Sequence, residues 1–433
     1  SALDMSGPGG CTEAELLPPD RNSLPSSLIW QMHRRLLPLL GIGYMLCLVD
    51  RGNIAYAQLQ MQRDLGLSDT DFGLASGVFF FAYAITQLPS NGLVARVGAR
   101  RVLASTLTAW GALSASMSLA GNAEALCLLR FALGFAESGY FPGVLLLLSQ
   151  WYPEFALGST TAIFMTTGGV GAVLGSASAG YIMEGMDGFL GVRGWRWLFV
   201  VQGVAPMVLG PLLWLRMADG PSTVRWLSPE SRALLLDAMP QERELSPFFS
   251  ELYTTVSRPA TWIFACTYFL NAVCMYNIQF FFPMQLHEIF PTLSLGQIAL
   301  VAASPMIITI PLGPLTATWS DRGDRNRRRV HLVWGTASVS MLLFLACGSI
   351  MVLEVVLQRT QGEQHYLTVV LLPAMLSLNI CSSCSVGPLW ALHMTKQPAA
   401  LLPTSIALVN SIGNLGGFVG PYAMGVMHDA LGP

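Results

Sequence analysis

Eleven runs of about twenty or more predominantly apolar residues follow one another along this chain, and a helix needs a run of that length to cross the hydrocarbon core of a bilayer. They are 36–59, 72–94, 102–121, 123–148, 158–184, 195–217, 259–285, 295–319, 330–353, 366–390 and 402–427. Hydrocarbon offers no hydrogen bonds to a backbone, so such runs fold as helices. The expected class is therefore an all-α membrane protein. Charge supports this: 11% of the 433 residues are charged, against roughly 25% in a soluble domain. Most connections are short. The exception, 218–258, contains Pro, Ser, Arg and Glu and divides six spans from five. The expected organisation is a disordered tail over 1–35, a first half over 36–217, an inter-half loop over 218–258 and a second half over 259–433.

Orientation follows from where the basic residues fall. With the N-terminus placed in the cytoplasm, 17 Lys and Arg lie in inner segments and 4 in outer ones. An excess of Lys and Arg marks the cytoplasmic side, so the N-terminus, the tail and the 218–258 loop are expected there, in a multi-pass protein of the cell (inner) membrane. Two cations, Arg51 and Arg130, fall well inside spans, away from their ends.

Several functions are excluded early. Lys396 is the single lysine, so no Walker A loop exists, and neither His-Glu-x-x-His nor Gly-x-Ser-x-Gly occurs. No catalytic constellation is visible, and an enzyme is not expected. A net charge of −2 supplies no basic face for nucleic acid. Cys381 and Cys384 form a C-x-x-C inside an apolar run without further ligands at metal spacing, so they read as packing residues. No cofactor or metal is expected.

The two halves echo each other. Gly171-x-x-x-Gly175 in the fifth span and Gly416-x-x-x-Gly420 in the eleventh hold the same place in their halves. Glycines at this spacing let helix backbones approach closely. Their correspondence indicates two parallel repeats related by an axis along the membrane normal, with binding near the midplane between them.

Charge inside a membrane is costly and marks function. Four such groups stand out: Asp50 and Arg51 on span 1, Arg130 and Glu137 on span 4. At 1.5 Å per residue, Asp50 and Arg51 lie about 21 and 22 Å from the inner surface, Glu137 about 15 Å and Arg130 about 25 Å. The four sum to zero. An entering anion would make the cluster negative, and a proton on Asp50 or Glu137 would restore neutrality. A bland alternative is an ion-pair lock between spans 1 and 4, although such locks are often no more stable than apolar packing.

These residues carry a resemblance. Asp50-Arg51-Gly52-Asn53-Ile54-Ala55-x-Ala57 resembles the first-span signature of the anion:cation symporter family of the major facilitator superfamily, and Arg130-Phe131-x-x-Gly134-x-x-Glu137-x-x-x-Phe141-Pro142 resembles its fourth-span motif. Gly194-Trp195-Arg196-Trp197 opens span 6 as in that family, and residues 407–421 resemble the eleventh span of its bacterial members, carriers of tartrate, phthalate and sugar acids such as galactonate. The resemblance implies a major facilitator fold of two six-helix halves. It implies proton coupling by Asp50 and Glu137, and a substrate carboxylate held by Arg51. Arg130 would partner Glu137, gate and join Arg51 in substrate binding, and Tyr83 and Asn410 would line the cavity. Asp321-Arg322 matches the superfamily's gating motif, whereas Ala95 stands where the first half would carry its Asp. The family's twelfth span follows an Asp-x-x-Gly like Asp429-Ala430-Leu431-Gly432, and its absence here suggests a truncated chain. No Arg occurs in span 7, unlike the vesicular glutamate carriers, which disfavours glutamate.

Softer candidates are Asn271, Tyr276, Asn277 and Gln279 on span 7 and Asn379 with nearby serines on span 10. Such groups line cavities or act as interhelical glue. His393 reads as a solvated edge residue, Trp390 as an interface anchor, and the Phe79–Phe81 and Phe280–Phe282 stripes as lipid-facing or packing surface. The expected activity is proton-coupled symport of a small organic anion, such as a sugar acid or another carboxylate, by a monomer. The alternatives are an uncoupled facilitator or exchanger and a non-transporting sensor.

Overall fold

A computed structural model describes residues 24–224, 226–239 and 248–320, positions 330 and 335, scattered positions between 376 and 398, and 401–431. Each apolar run that falls there is a helix. In chain order they are α1 (Ser26–Leu65), α2 (Asp69–Val97), α3 (Ala99–Ser116), α4 (Ala123–Glu137), α5 (Tyr140–Trp151), α6 (Glu154–Gly185), α7 (Gly194–Arg216), α8 (Pro229–Ala238), α9 (Phe248–Val256), α10 (Pro259–Ile289), α11 (Leu295–Ser320), α12 (Leu402–Asn414) and α13 (Gly416–Leu431). Among the described residues, eight helical stretches are long and apolar enough to cross a membrane. The run 330–353 lies almost wholly outside the described residues, and 366–390 largely so.

Three departures from the expected spans have local causes. Helix α1 begins at Ser26, so Ser26–Arg35, expected as tail, is helical. Leu28 and Met32, one turn apart, are buried. Gln31 Nε2 donates to the Trp226 carbonyl (3.3 Å), and the Arg35 guanidinium lies 5.1 Å over the Trp226 ring. Span 4 is broken at Ser138-Gly139 into α4 and α5, so Glu137 closes a helix at mid-span. The eleventh run is two helices meeting at Leu415, between Gly413 and the Gly416-Gly417 pair, residues that hold helix poorly.

The glycine pairs do what their spacing suggests. A Cβ on Gly171 would come within 2.6 Å of the Met45 carbonyl oxygen, and one on Gly175 within 3.0 Å of Val49 Cα, so α6 lies directly against α1. Gly416 and Gly420 stand in the same way against the Phe269–Val273 backbone of α10. The first and fifth spans thus pack like the seventh and eleventh, as parallel repeats require. At the start of α3, Gly98 takes φ +98° and the Arg100 N–H donates to Asp219 Oδ1 (2.8 Å). A carboxylate from the end of the sixth span therefore caps the third.

Spans from before and after the 218–258 segment meet at one end of the bundle. The α2 and α13 backbones touch at Gly73 and Pro421 and again at Gly425 and Asp69. Asp429, at the end of α13, accepts hydrogen bonds from the Asp69 and Thr70 N–H groups that open α2 (3.1 and 2.8 Å). His428 Nδ1 is 2.6 Å from Asp69 Oδ2, and Gln62 Nε2 donates to Asp69 Oδ1 (2.7 Å). At the same end, Glu184 at the close of α6 accepts from the Gly296 N–H that opens α11 (2.9 Å). The eleventh span caps the second and the fifth caps the eighth, so the two latches are equivalent under the repeat.

Candidate functional site

The intramembrane charges are held by α1, α3 and α4. On α1, Cys47, Asp50 and Asn53 recur every three residues and face the interior of the first six spans, while Arg51 points one step round the helix. Asp50 is 1% exposed. Its Oδ1 accepts from Ser114 Oγ of α3 and from Asn53 Nδ2 (3.0 Å), and its Oδ2 has no hydrogen-bond partner. Arg51 Nε donates to Glu137 Oε1 at 2.5 Å, an ion pair between a part-buried cation on α1 and the buried last residue of α4. Cys47 Sγ donates to the same oxygen (2.9 Å), and Glu137 Oε2 is unpartnered. The Arg51 guanidinium lies 4.7 Å over the Tyr83 ring and 5.6 Å over Phe79, both on α2.

One pairing differs from expectation. Arg130 does not partner Glu137: it is fully buried, its Nε donates to the Ala75 carbonyl (3.3 Å), and its guanidinium lies 4.8 Å over the Phe79 ring. Its two terminal nitrogens have no hydrogen-bond partner. Helical side chains lean toward the N-terminus, and seven residues span about 10.5 Å of axis. Arg130 therefore leans away from Glu137, and Arg51 takes the carboxylate. The Phe79 ring is shared by both cations, each within cation–π range.

A cavity of about 120 Å³ opens beside Arg51, between α1, α6, α10 and α11. Tyr56, Ser176, Tyr276 and Gln279 supply its other polar wall groups. Tyr56 Oη donates to Ser176 Oγ (2.7 Å), which donates to the Ala172 carbonyl (2.9 Å). Tyr276 packs on Phe80 at 4.1 Å between ring centroids, joining α10 to α2.

The other candidates are scattered. Tyr83 underlies Arg51 and does not line this cavity. Asn271 Nδ2 donates to Ser385 Oγ (2.8 Å), a tie between spans 7 and 10. Asn410 is half-buried, and its carbonyl accepts from Asn414 Nδ2 (2.8 Å). Neither lines the cavity. Asn379, Asp321 and Arg322 lie outside the described residues. His393, expected as a solvated edge residue, is 1% exposed, lies 2.8 Å from Ser405 Oγ and packs on Phe264 and Trp390. Trp390 is accordingly a packing residue against Tyr268 and His393. Of the phenylalanine stripes, Phe79, Phe80 and Phe280–Phe282 are buried, and Phe81 is exposed. Gly194-Trp195-Arg196 is a structural clasp: Trp195 Nε1 and Arg196 bind Asp64 at 3.0 and 3.2 Å. Cys47 and Ser114, which touch the two acids, carry no signal in the sequence beyond being polar atoms in apolar runs.

The chain matches the Major Facilitator Superfamily over residues 40–421. It is 32% identical over 412 residues to a protein of Agrobacterium vitis named for tartrate transport, an alignment covering 95% of this chain and 90% of that one. It is 31% identical over 406 residues to a quinolone resistance transporter of Acinetobacter baumannii, covering 92% and 88%. It is 30% identical over 388 residues to the inner membrane transport protein RhmT of Escherichia coli K12, covering 89% and 85%. Two solved structures share the fold. A bacterial homologue of the human lysosomal transporter Spinster, in an inward-facing and occupied conformation, superposes with TM-score 0.70 at 18% identity over 92% of this chain and 82% of that one. A D-xylose–proton symporter does so with TM-score 0.66 at 15% identity over 91% and 90%. With helices long enough to span a membrane, a repeated architecture and a cavity between the repeats, the chain belongs to the Major Facilitator Superfamily: it is a multi-pass membrane transporter and not an enzyme.

Proposed function

We propose that this transporter carries a small organic anion together with protons, by alternating access of the halves 36–217 and 259–433, with its N-terminus in the cytoplasm. The observation that carries this is the Arg51–Glu137 ion pair at the edge of the cavity. An anion entering the cavity competes with Glu137 for Arg51. A buried carboxylate that loses its partner is costly to keep charged, and a bound proton removes that cost. Anion and proton then favour each other's binding, and the coupling is reciprocal. Asp50, held by Ser114 and Asn53 with one oxygen unsatisfied, is the second proton site. Arg130 supplies the compensating charge that keeps the empty site neutral. Tyr83 orients Arg51, Asn271 ties span 7 to span 10, Asn379 on span 10 contacts the substrate, and Asp321-Arg322 gates the inner face. The relative named for tartrate transport favours a small organic anion.

The test is uptake by proteoliposomes under an inward proton gradient, across a panel of carboxylates, with protein-free liposomes correcting for passive entry. Wild type should accumulate at least one carboxylate above its external concentration. Glu137→Gln should equilibrate without accumulating, and Arg51→Ala should lose binding. Equal accumulation by wild type and Glu137→Gln would refute coupling through this residue.

A further inference from the structure

The second-half spans 259–285, 295–319, 366–390 and 402–427 contain no Asp, Glu, Lys, Arg or His. On the other side, Arg51 is the one charged side chain on the cavity wall among the described residues. Arg130, the remaining intramembrane cation, is fully buried against Phe79 and Ala75 and does not reach the cavity. The wall opposite Arg51 is built of Met275, Ile278, Phe282, Pro283, Pro305 and Met306. Its polar groups are mostly engaged: the Tyr56 hydroxyl hydrogen goes to Ser176, the Ser176 hydrogen to the Ala172 carbonyl, and Tyr276 Oη lies 3.5 Å from Asn414 Oδ1. Gln279 differs. Its amide has no hydrogen-bond partner among the described residues, and it faces Gly52, where a Cβ would stand 3.7 Å from Gln279 Nε2.

We propose that the cavity selects a monoanion: a single carboxylate on an aromatic or otherwise apolar body, the carboxylate taken by Arg51, the body lying against Met275, Phe282 and Met306, and a polar substituent read by Gln279. This rests on the organic-anion function proposed above and narrows it. A dicarboxylate would press its second charge against thioether, aromatic and proline surface, where, among the described residues, no second cation answers it and the neutral Gln279 amide is the spare donor. A hydroxyl-rich acid would leave most of its hydroxyls unpaired. The apolar body, in contrast, gains from contact with soft methionine sulfur and an aromatic ring.

Benzoate and phthalate differ by one carboxylate and so isolate the claim. The experiment measures binding of benzoate, phthalate, tartrate and neutral benzamide to the purified chain at about pH 7.5, where the acids are fully ionised, by thermal shift and titration calorimetry. Benzoate should bind at least about a hundredfold more tightly than phthalate or tartrate, ~2.8 kcal/mol. Met306→Lys adds a cation to the bare wall and should move the phthalate-to-benzoate ratio at least about tenfold toward phthalate. Gln279→Leu should abolish any preference for hydroxybenzoates over benzoate, and an unchanged preference would remove Gln279 from the reading of the polar substituent. Phthalate or tartrate binding as tightly as benzoate would overturn monoanion selection and leave an organic-anion carrier standing. Benzamide binding as tightly as benzoate, or no carboxylate binding at about 10 mM, would overturn both.

Discussion

The two carboxylate latches allow a quantitative test of how the bundle closes. Asp429 sits on the first N–H groups of α2 and Glu184 on the second residue of α11, each reaching from the opposite half. A negative charge at a helix N-terminus contributes about 0.3–1 kcal/mol when exposed. Two latches give ~0.6–2 kcal/mol in favour of the closed arrangement, or roughly 3- to 30-fold in the closed-to-open ratio. Asp429→Asn and Glu184→Gln keep shape and remove charge. The assay needs a variant without the eight native cysteines, carrying Met275→Cys in the cavity wall and reconstituted in vesicles. An impermeant maleimide applied from the Asp429 face reaches that thiol only when this face opens. Each single variant should speed labelling about 2- to 5-fold, and the double variant by about the product, because separated sites add. The hydrogen bond from the Thr70 side chain, with those from the Thr70 and Asp69 backbone, holds the Asp429 carboxyl below its usual range. Its contribution is therefore complete above the normal carboxylate range and is lost only as pH falls through the lowered value, so Asp429 itself should add no pH dependence between about pH 5 and 8. An unchanged labelling rate in the double variant would refute the latch.

Other expectations are open to measurement. Cys47→Ala removes one donor from Glu137 and leaves the Arg51 pair; it should cost about 0.5–1.5 kcal/mol and move the pH profile of uptake without abolishing transport. An unmoved profile would detach Cys47 from proton coupling. Asp219→Ala uncaps α3 and should lower thermal stability by about 1 kcal/mol with substrate affinity unchanged, read by thermal unfolding and calorimetry. Gly171→Leu drives a side chain into the Met45 backbone and should cost about 1–3 kcal/mol or more, seen as a lower melting temperature. A wild-type melting curve would mean that α1 and α6 are not in backbone contact.

Which parts of this structure are legible from sequence follows from what sets each part. The spans are legible because a bilayer imposes one length and one backbone solution on every apolar run, and the glycine pairs because contact between backbones tolerates nothing larger. The ionic residues are legible because charge in hydrocarbon is conspicuous. Their partners are not. Arg130 and Glu137 share a helix face, yet the lean of helical side chains and the rotation of α1 hand Glu137 to Arg51. Cys47 and Ser114 meet the acids only through tertiary packing. His393 looks like an edge residue because its run ends nearby, but α10 and α12 cover it with Phe264 and Ser405. The start of α1 at Ser26 is hidden for a similar reason: Trp226, 195 residues beyond Gln31, provides the surface on which that first turn packs.

The competition between anion and Glu137 for Arg51 is tested most directly by counting protons on binding. Titration calorimetry of the purified chain near neutral pH, in two buffers of different ionisation enthalpy, yields the protons taken up per bound anion. Wild type should take up about one proton per anion, and Glu137→Gln should bind the same anion with markedly less uptake. Anion binding with no proton uptake by wild type, or with identical uptake by Glu137→Gln, would contradict the mechanism.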